Sequence, residues 1–426
     1  MVVTQSYSTV EMSTLQSEYT FSLVKRLFIQ QFPLPREMAT RWNIVETRVV
    51  EKRKASDGAK RVNNYALLRT IGHGRFAKVK LVERIPPQPP TDSPGELGPP
   101  PPPMASALRP TFARAPPVST QLPAARRQFA LKIYSKKNLL KMKDYVSTRS
   151  LEVEVEEARS FDSQPSAPPQ PEKFALPQAS SMRVVTALDR VREEIRIMRT
   201  LYHRNVVLLF EVIEDDTSDK IYLVLEHMSK GPCMIFRPDT SDFVSPLTGG
   251  LLSDELARNH TRDILTGLQY LHSRGVCHRD LKPDNILLNE AGRCHISDFG
   301  CALMRPPNTV IAVSDTVGTY QFLAPECCSG DSYDPFQADV WAVGVVLFVF
   351  LFGKLPFKAD TTKELFDEIT QCEILLPTED RSVDDVCRDL LFKMVEKDPS
   401  ERISIRDALS HPWLREEEDD DEPLSF

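Results

Sequence analysis

Several things are missing from this sequence, and each absence narrows the field. No apolar run reaches the roughly 20 residues of a membrane span; Val343–Phe352 is apolar but too short. There is no excess of basic charge: the formal net charge is -7, so no nucleic-acid partner is expected. The eight cysteines form no CxxC pair and mostly fall in apolar stretches, which fits reduced thiols in a cytoplasmic or nuclear chain. Residue 2 is Val, so the N-myristoylation signal is absent. The Ser/Thr-rich start carries Glu11, Glu18 and few early arginines, which argues against a transit peptide. What remains, at 426 residues with 41% hydrophobic and 27% charged, is an ordinary globular composition with ample material for a core.

The most informative stretch runs from Gly275 to Gly300, GVCHRDLKPDNILLNEAGRCHISDFG. A turn carries His278, Arg279 and Asp280, with Lys282 and Asn285 close behind. Ile286–Leu288 reads as a strand, Asn289–Gly292 as a turn, and a second strand leads to Asp298-Phe299-Gly300. A hairpin of this kind brings Asn285 and Asp298 together at one end. The pair could hold a divalent metal, and Asp280 beside them could take a proton from an attacking hydroxyl.

HRDxKxxN followed by DFG at this spacing resembles the catalytic loop and metal-binding triplet of the eukaryotic protein kinases. The resemblance implies an α+β, two-lobed protein-kinase fold, with a small β-rich N-lobe holding one main helix and a larger helical C-lobe. It also implies ATP and Mg²⁺ as cofactors. Asp280 would be the catalytic acceptor, Lys282 would steady the transferring group, and Thr319 would contact both. Asn285 and Asp298 would hold Mg²⁺. Lys282 in DLKPDN points to serine/threonine rather than tyrosine as the acceptor.

The chain in order fits this expectation. Residues 1–64 read as a mostly polar extension, in which Phe21–Ile29 is either a short basic amphipathic helix or, more simply, a piece docked on the chain's own surface. Strands flank Ile71, Gly72, His73, Gly74, Arg75, Phe76, Ala77, Lys78 and Val79, a turn that resembles the kinase glycine-rich loop. Ala77 stands where the third glycine would be, so altered nucleotide contact is expected rather than lost binding. QFALKIY supplies Ala130 and Lys132, the latter expected on the ATP phosphates. Leu188, Val191, Ile195, Met198 and Leu201 recur at helical spacing and carry Glu194, the expected partner of Lys132. Glu226 and Met228 would offer backbone groups to adenine, and Leu287 completes the nucleotide-binding set.

Two insertions interrupt the expected domain, residues 65–414. Residues 85–127 hold 14 prolines, five of them consecutive from Pro99 to Pro103. This reads as a plain loop insertion or, alternatively, as a ligand for SH3-like partners. Residues 142–185 are acidic and Pro/Ser-rich, and residues 415–426 form an acidic tail.

Finer features point further. ALKIYSKKNLLK, HRNVVLLFEVIEDD, KGPCM and SDTVGTYQFLAPECC resemble the calcium/calmodulin-dependent protein kinase kinases and related upstream activators of AMP-activated-type kinases. Protein substrates that are themselves kinases follow from that resemblance. An acidic tail stands where a basic amphipathic segment should follow the domain, which argues against calmodulin control and leaves the basic segment Phe21–Ile29 as its one remaining candidate. The rival within the enzyme class is a calmodulin-dependent-type kinase acting on basic motifs; a pseudokinase scaffold fits poorly, since every catalytic position is filled. Counting back from Gly318, the residue at the usual activating phosphorylation position is Asp315, facing Arg279 and, by expectation, Arg190. Glu326 is expected to pair with Arg402, and Asp339 to bond the catalytic-loop backbone.

Overall fold

In the computed structural model the described residues are 44–54, 60–74, 76–85, 128–147, 152–155, 182–305, 309–377 and 381–415. Phe21–Ile29, Arg75, nearly all of the proline-rich insertion (86–127) and the acids Glu416–Glu422 lie outside them. The described residues divide into two compact units, one from 44–136 with 209–227 and the other from 137–208 with 228–415.

The smaller unit is a single eight-stranded sheet. Its strands are β1 (Val45–Thr47), β2 (Lys52–Lys54), β3 (Lys60–Val62), β4 (Tyr65–His73), β5 (Ala77–Arg84), β6 (Gln128–Ser135), β7 (Leu209–Glu214) and β8 (Lys220–Glu226). Their order across the sheet is β1-β7-β8-β6-β5-β4-β3-β2. Apolar residues fill the sheet, with Val82, Phe129, Leu131, Ile213, Leu223 and Val224 wholly buried. β1 and β2 sit on opposite edges although only residues 48–51 separate them in sequence. At about 3.4 Å per residue those residues span no more than roughly 17 Å, so the sheet must curl until its edges approach. Asn63, with φ 49°, makes the tight turn into β4 and its side-chain amide donates to the Val49 carbonyl at 2.8 Å. Sheet strands therefore begin twenty residues ahead of Tyr65, where the alternating pattern starts. Three-residue strands of mixed polarity carry no readable period.

The proline-rich insertion leaves this sheet undisturbed. β5 and β6 pair antiparallel in continuous register from Ala77↔Tyr134 to Glu83↔Gln128. The chain exits and re-enters at facing positions, as it would through a short turn, because closure cost rises slowly with loop length. The second insertion is closed in the same way. Lys143–Ser147 pairs antiparallel with Met182–Thr186, and the Ala187 amide donates to the Met142 carbonyl at 3.0 Å. Within it, Glu152–Val155 pairs antiparallel with Thr309–Ala312.

In the larger unit, α1 (Ala187–Met198) opens on a capping box between Thr186 and Asp189 and buries Leu188, Val191, Ile195, Ile197 and Met198. Helix α2 (Asp254–Ser273) is capped by Ser253, whose hydroxyl accepts from the Leu256 amide at 3.2 Å. Its inner stripe of Ala257, Ile264, Leu265, Leu268 and Leu271 is buried, while Leu256 is only half-buried. Gly267 on that stripe lets the Asn205 backbone approach closely; an added Cβ would sit 2.8 Å from the Asn205 carbonyl. Buried Asp263, also on α2, accepts the Cys294 amide at 3.0 Å and the Arg293 guanidinium, fixing the hairpin that carries the DFG triplet.

Helix α3 (Pro335–Phe352) begins on the Asp334 cap and stops at Gly353, whose φ of 65° suits glycine. At 18 residues it is long and apolar enough to cross a membrane by length and composition alone, a length the run Val343–Phe352 did not reveal. Fifteen of its residues are buried in the protein itself.

Candidate active site

Asp339 organises the catalytic loop. It lies in the first turns of α3, is 1% exposed, and accepts three hydrogen bonds. The His278 amide donates to Oδ2 at 2.8 Å, the Arg279 amide to Oδ1 at 2.8 Å, and His272 Nε2 lies 2.9 Å from Oδ2. A carboxylate this deep is tolerable only with such donors. Together they hold the HRD backbone, including Arg279 at φ 66°, a left-handed conformation that costs a side-chain-bearing residue on the order of 1–3 kcal/mol.

His278, fully buried, connects this loop to the metal triplet. Its Nε2 lies 2.9 Å from the Ser297 carbonyl and its Nδ1 accepts from the Asp280 amide at 3.3 Å. A carbonyl can only accept, so these partners assign the proton to Nε2. The ring packs edge-on against Phe299 with centroids 5.3 Å apart. Ser297 in turn donates twice to the Asn285 carbonyl, from its amide at 2.8 Å and its hydroxyl at 2.9 Å. Asp298, next in sequence and itself in the left-handed region at φ 61°, is thereby set beside Asn285.

The reacting groups form a closed ring. Asp280 Oδ2 accepts from Lys282 Nζ at 3.0 Å and from Asn285 Nδ2 at 3.0 Å; Oδ1 accepts from the Thr319 hydroxyl at 2.8 Å. Lys282 Nζ also donates to Thr319 Oγ1 at 2.6 Å. Thr319 reaches this ring because Gly318 presses against the catalytic loop at φ +112°, where any side chain would overlap the Arg279 carbonyl. The arrangement orients a carboxylate, keeps an ammonium beside it, and leaves both partly exposed (side-chain exposure 14% and 21%). Burial, followed by Asp280 and Asp298, pushes the neighbouring Cys301 thiol up to about 11, so it stays protonated at neutral pH.

The activation segment, Asp298 to Glu326, is tied down in its second half and at its end. Glu326 pairs with Arg402 through two bonds, 2.6 and 2.9 Å, and the same guanidinium donates to the Glu396 and Gln337 carbonyls while lying over the Trp341 ring. Eleven residues before Glu326, Asp315 forms an ion pair with Arg279. Arg190 acts on the Cys301 thiol electrostatically, in the same neighbourhood as Arg279.

The remaining expected residues fall into separate elements. Glu194 is buried (2%) on α1, and Leu287 lies on the strand paired with Gly231–Pro232, with the Met228 carbonyl accepting from the Gly231 amide at 3.2 Å. In the smaller unit, Ile71, Gly72 and His73 end β4, and Ala77, Lys78 and Val79 begin β5. The turn between them closes through the Gly74 amide and the Ala77 carbonyl at 2.8 Å, with Phe76 inside it. Ala130 and Lys132 lie on β6, where Lys132 pairs across to Val79 and Leu223 and its ammonium lies 5.5 Å from the Tyr134 ring centroid. Glu226 ends β8, 9% exposed. Two sets of contacts had no signal in the sequence: His278 with Ser297, and Tyr333 with Val313 and the Asp315 carbonyl. The contact of His278 with Ser297 was hidden because a buried histidine reads as core, and the role of Tyr333 because a lone tyrosine reads as packing.

With this geometry in view, comparison with known proteins is direct. The protein kinase domain family matches residues 172–414, just over half of the chain, and the chain belongs to that family. It is 34% identical over 263 residues to the serine/threonine-protein kinase TOS3 of Saccharomyces cerevisiae, covering 57% of this chain and 47% of TOS3. It is 40% identical over 250 residues to the serine/threonine-protein kinase ssp1 of Schizosaccharomyces pombe, covering 57% of this chain and 36% of that protein. SNF1-activating kinase 1 of Saccharomyces cerevisiae is 36% identical over 265 residues, covering 53% of this chain and 23% of that kinase. The matched region thus spans half or less of each of these three curated relatives. Protein kinases in general use ATP and Mg²⁺.

Proposed function

We propose that this protein is a serine/threonine protein kinase that transfers the γ-phosphoryl group of ATP to protein hydroxyls, and that its substrates are the activation segments of other kinases. The observation that carries the reading is the ring of Asp280, Lys282 and Thr319, closed by three hydrogen bonds of 2.6–3.0 Å. Phosphoryl transfer asks little covalent chemistry of a protein; it asks for an aligned hydroxyl and neutralised charge. Asp280 accepts the hydrogen bond, and then the proton, of the incoming hydroxyl, while Lys282 faces the developing negative charge. The donors present suit Mg²⁺: an amide oxygen at Asn285 and a carboxylate at Asp298 are hard ligands, held as neighbours by Ser297. When bound, Mg²⁺ supplies charge neutralisation on the phosphates. Gly72, Gly74 and Lys132 would hold the nucleotide phosphates, Glu194 would orient Lys132, and Glu226 and Met228 would take the adenine.

The upstream placement is supported by similarity to SNF1-activating kinase 1. Its test is labelling with Mg-ATP of an AMP-activated-type catalytic subunit, intact against a variant without its activation-loop threonine, with and without calcium/calmodulin. Label is expected only on the intact subunit, absent with Asp298→Ala enzyme, and indifferent to calcium/calmodulin. Equal label on both subunits would place the substrates elsewhere; no label from any acceptor would remove the kinase reading.

A further inference from the structure

The second insertion reaches the activation segment through its backbone. Thr309–Ala312 reads TVIA, three β-branched residues in a row and no charge, a segment suited to lie extended. Its partner, Glu152–Val155, reads EVEV, an alternation at the strand period. The two run antiparallel, with Thr309 opposite Val155, Val310 opposite Glu154, Ile311 opposite Val153 and Ala312 opposite Glu152. Among the described residues they form a sheet of two strands that joins no other. The chain is anchored on both sides of this pair. Val313 follows Ala312 directly and exchanges two backbone bonds with Tyr333, at 3.0 and 2.9 Å. Only residues 148–151 separate Glu152 from the stem of the insertion, where Ser147 pairs with Met182 and Lys143 with Thr186. A chain that short reaches at most roughly 17 Å. Thr186 is also the cap of α1, the helix that carries Glu194. The insertion therefore runs from the start of α1 to the activation segment.

We propose that the second insertion is a built-in strand ligand: residues 152–155 add to the edge of 309–312 and hold that part of the activation segment in place, and phosphorylation of Thr309 detaches them. Strand addition takes its affinity from main-chain bonds, and the occupant here is tethered to the same chain. A short tether sets an effective concentration of about millimolar order. A lone pair of strands is marginal in water, so this one forms when tethered and is weak enough to be switched. The charge pattern supplies the switch. Four glutamates fall within the six residues from Glu152 to Glu157, and Val155, the register partner of Thr309, lies among them. Phosphorylation moves the γ-phosphoryl group of ATP onto the Thr309 hydroxyl oxygen, releasing ADP and the hydroxyl proton. It adds about one and a half to two negative charges opposite that run, and like charges across a strand pair are destabilising. The regulatory meaning rests on the kinase reading above; the pairing itself does not.

The full chain is tested by hydrogen exchange and by cross-linking. Consecutive residues of a strand turn their amides to opposite edges, so Val153→Pro combined with Glu154→Pro must remove one that faces the partner. Exchange of residues 309–312 should then rise at least about tenfold, while the stem at 143–147 keeps its wild-type exchange. Thr309→Glu should have the same effect and Thr309→Val should not. Register is read with paired cysteines, Val153→Cys with Ile311→Cys or Glu154→Cys with Val310→Cys. Facing Cα atoms of an antiparallel pair lie about 4.5–5.5 Å apart, within disulfide reach. Mild oxidation should close a bond within one chain, located by mass spectrometry of a digest. With Mg-ATP and mixed serine and threonine peptides, Thr309→Glu should lower kcat about fivefold, with the KM for ATP within about twofold. The oxidised cysteine pair should restore that rate, and reduction should remove it again. Unchanged exchange in the double-proline chain, a disulfide between chains or none at all, or a wild-type rate in Thr309→Glu would each overturn the proposal. Should the double-proline chain fail to fold, the cysteine pairs decide. If no preparation transfers phosphate, the kinase reading falls, and exchange and cross-linking still decide the pairing.

Discussion

Two buried carboxylates, one in each unit, are solved by the fold in different ways. Asp339, 1% exposed, is satisfied by two backbone amides of the catalytic loop and by His272. Glu211, 7% exposed on β7, is satisfied by two hydroxyls, those of Thr47 on β1 and of Tyr65 on β4, the second at 2.6 Å. Neither carboxylate depends on a buried lysine or arginine for its hydrogen bonds. What differs is what the donors belong to. The donors to Asp339 include the backbone of the residues that perform the chemistry; those to Glu211 belong to strands that close a sheet. A buried acid is therefore a functional scaffold in one place and a structural clasp in the other, and only the identity of the donors tells them apart.

The strongest way to break the comparison is Asp339→Ala. Two loop amides and His272 would lose their acceptor inside the protein, and the strain at Arg279 would lose its support. Removal of one partner from a buried charged network costs on the order of 3–5 kcal/mol. Phosphoryl transfer should fall at least about a hundredfold, since Asp280 is carried by the same loop. Thermal melting and kcat on the same preparation check both. A variant that melts early but transfers phosphate normally would mean that the loop holds itself.

A third buried titratable group shows what happens without a partner. His260 on α2 is 2% exposed, packs edge-on against Phe350 with centroids 5.9 Å apart, and its Nε2 makes no hydrogen bond. Burial lowers its pKa from 6.5 to about 4, partly countered by Asp263, with Arg293 lowering it further. Between those values the unfolded chain binds a proton that the folded one refuses, so stability is present above about pH 6.5 and is lost as pH falls toward 4. The loss amounts to about 3 kcal/mol at the acid end. His260→Leu should match the wild type near neutrality and overtake it below pH 6, read as the difference between two urea-melt series. Parallel series would show that the histidine reaches water when protonated.

How much of this was legible beforehand depended on whether a signal was local. Asp280, Lys282, Asn285 and Asp298 stand within one hairpin, so their spacing alone brought them together, and the chemistry followed from residue types. Lys132 was legible through an alternating strand, and α1 through its three-and-four spacing. The clasp at Glu211 was not legible. Its three members lie at 47, 65 and 211, joined by strands too short to show a period and by a sheet whose curl is a property of all eight strands. Tyr333 was missed for a related reason: its value lies in a pair of backbone bonds to Val313, which no side-chain pattern encodes. Insertions were expected at 85–127 and 142–185; the strands at Lys143–Ser147 and Met182–Thr186 in the second are visible only as partners of each other.

The mildest test falls on the clasp itself. In Glu211→Leu the volume is nearly kept, while the Tyr65 hydroxyl, on a residue 1% exposed, loses its acceptor. Burial, followed by the Glu211 charge, now raises the pKa of that phenol, so it stays a protonated donor in search of a partner. An unmet buried hydroxyl costs about 1–3 kcal/mol, and Thr47, nearer the surface, loses less because water can replace the carboxylate. The expected outcome is a melting temperature several degrees lower with kcat unchanged, since no donor to Glu211 belongs to the catalytic loop. Adding Tyr65→Phe removes the orphaned hydroxyl and should recover most of the lost stability. Were kcat to fall alongside the melting temperature in Glu211→Leu, the distinction between scaffold and clasp would dissolve, and closure of the sheet would count as part of the catalytic machinery.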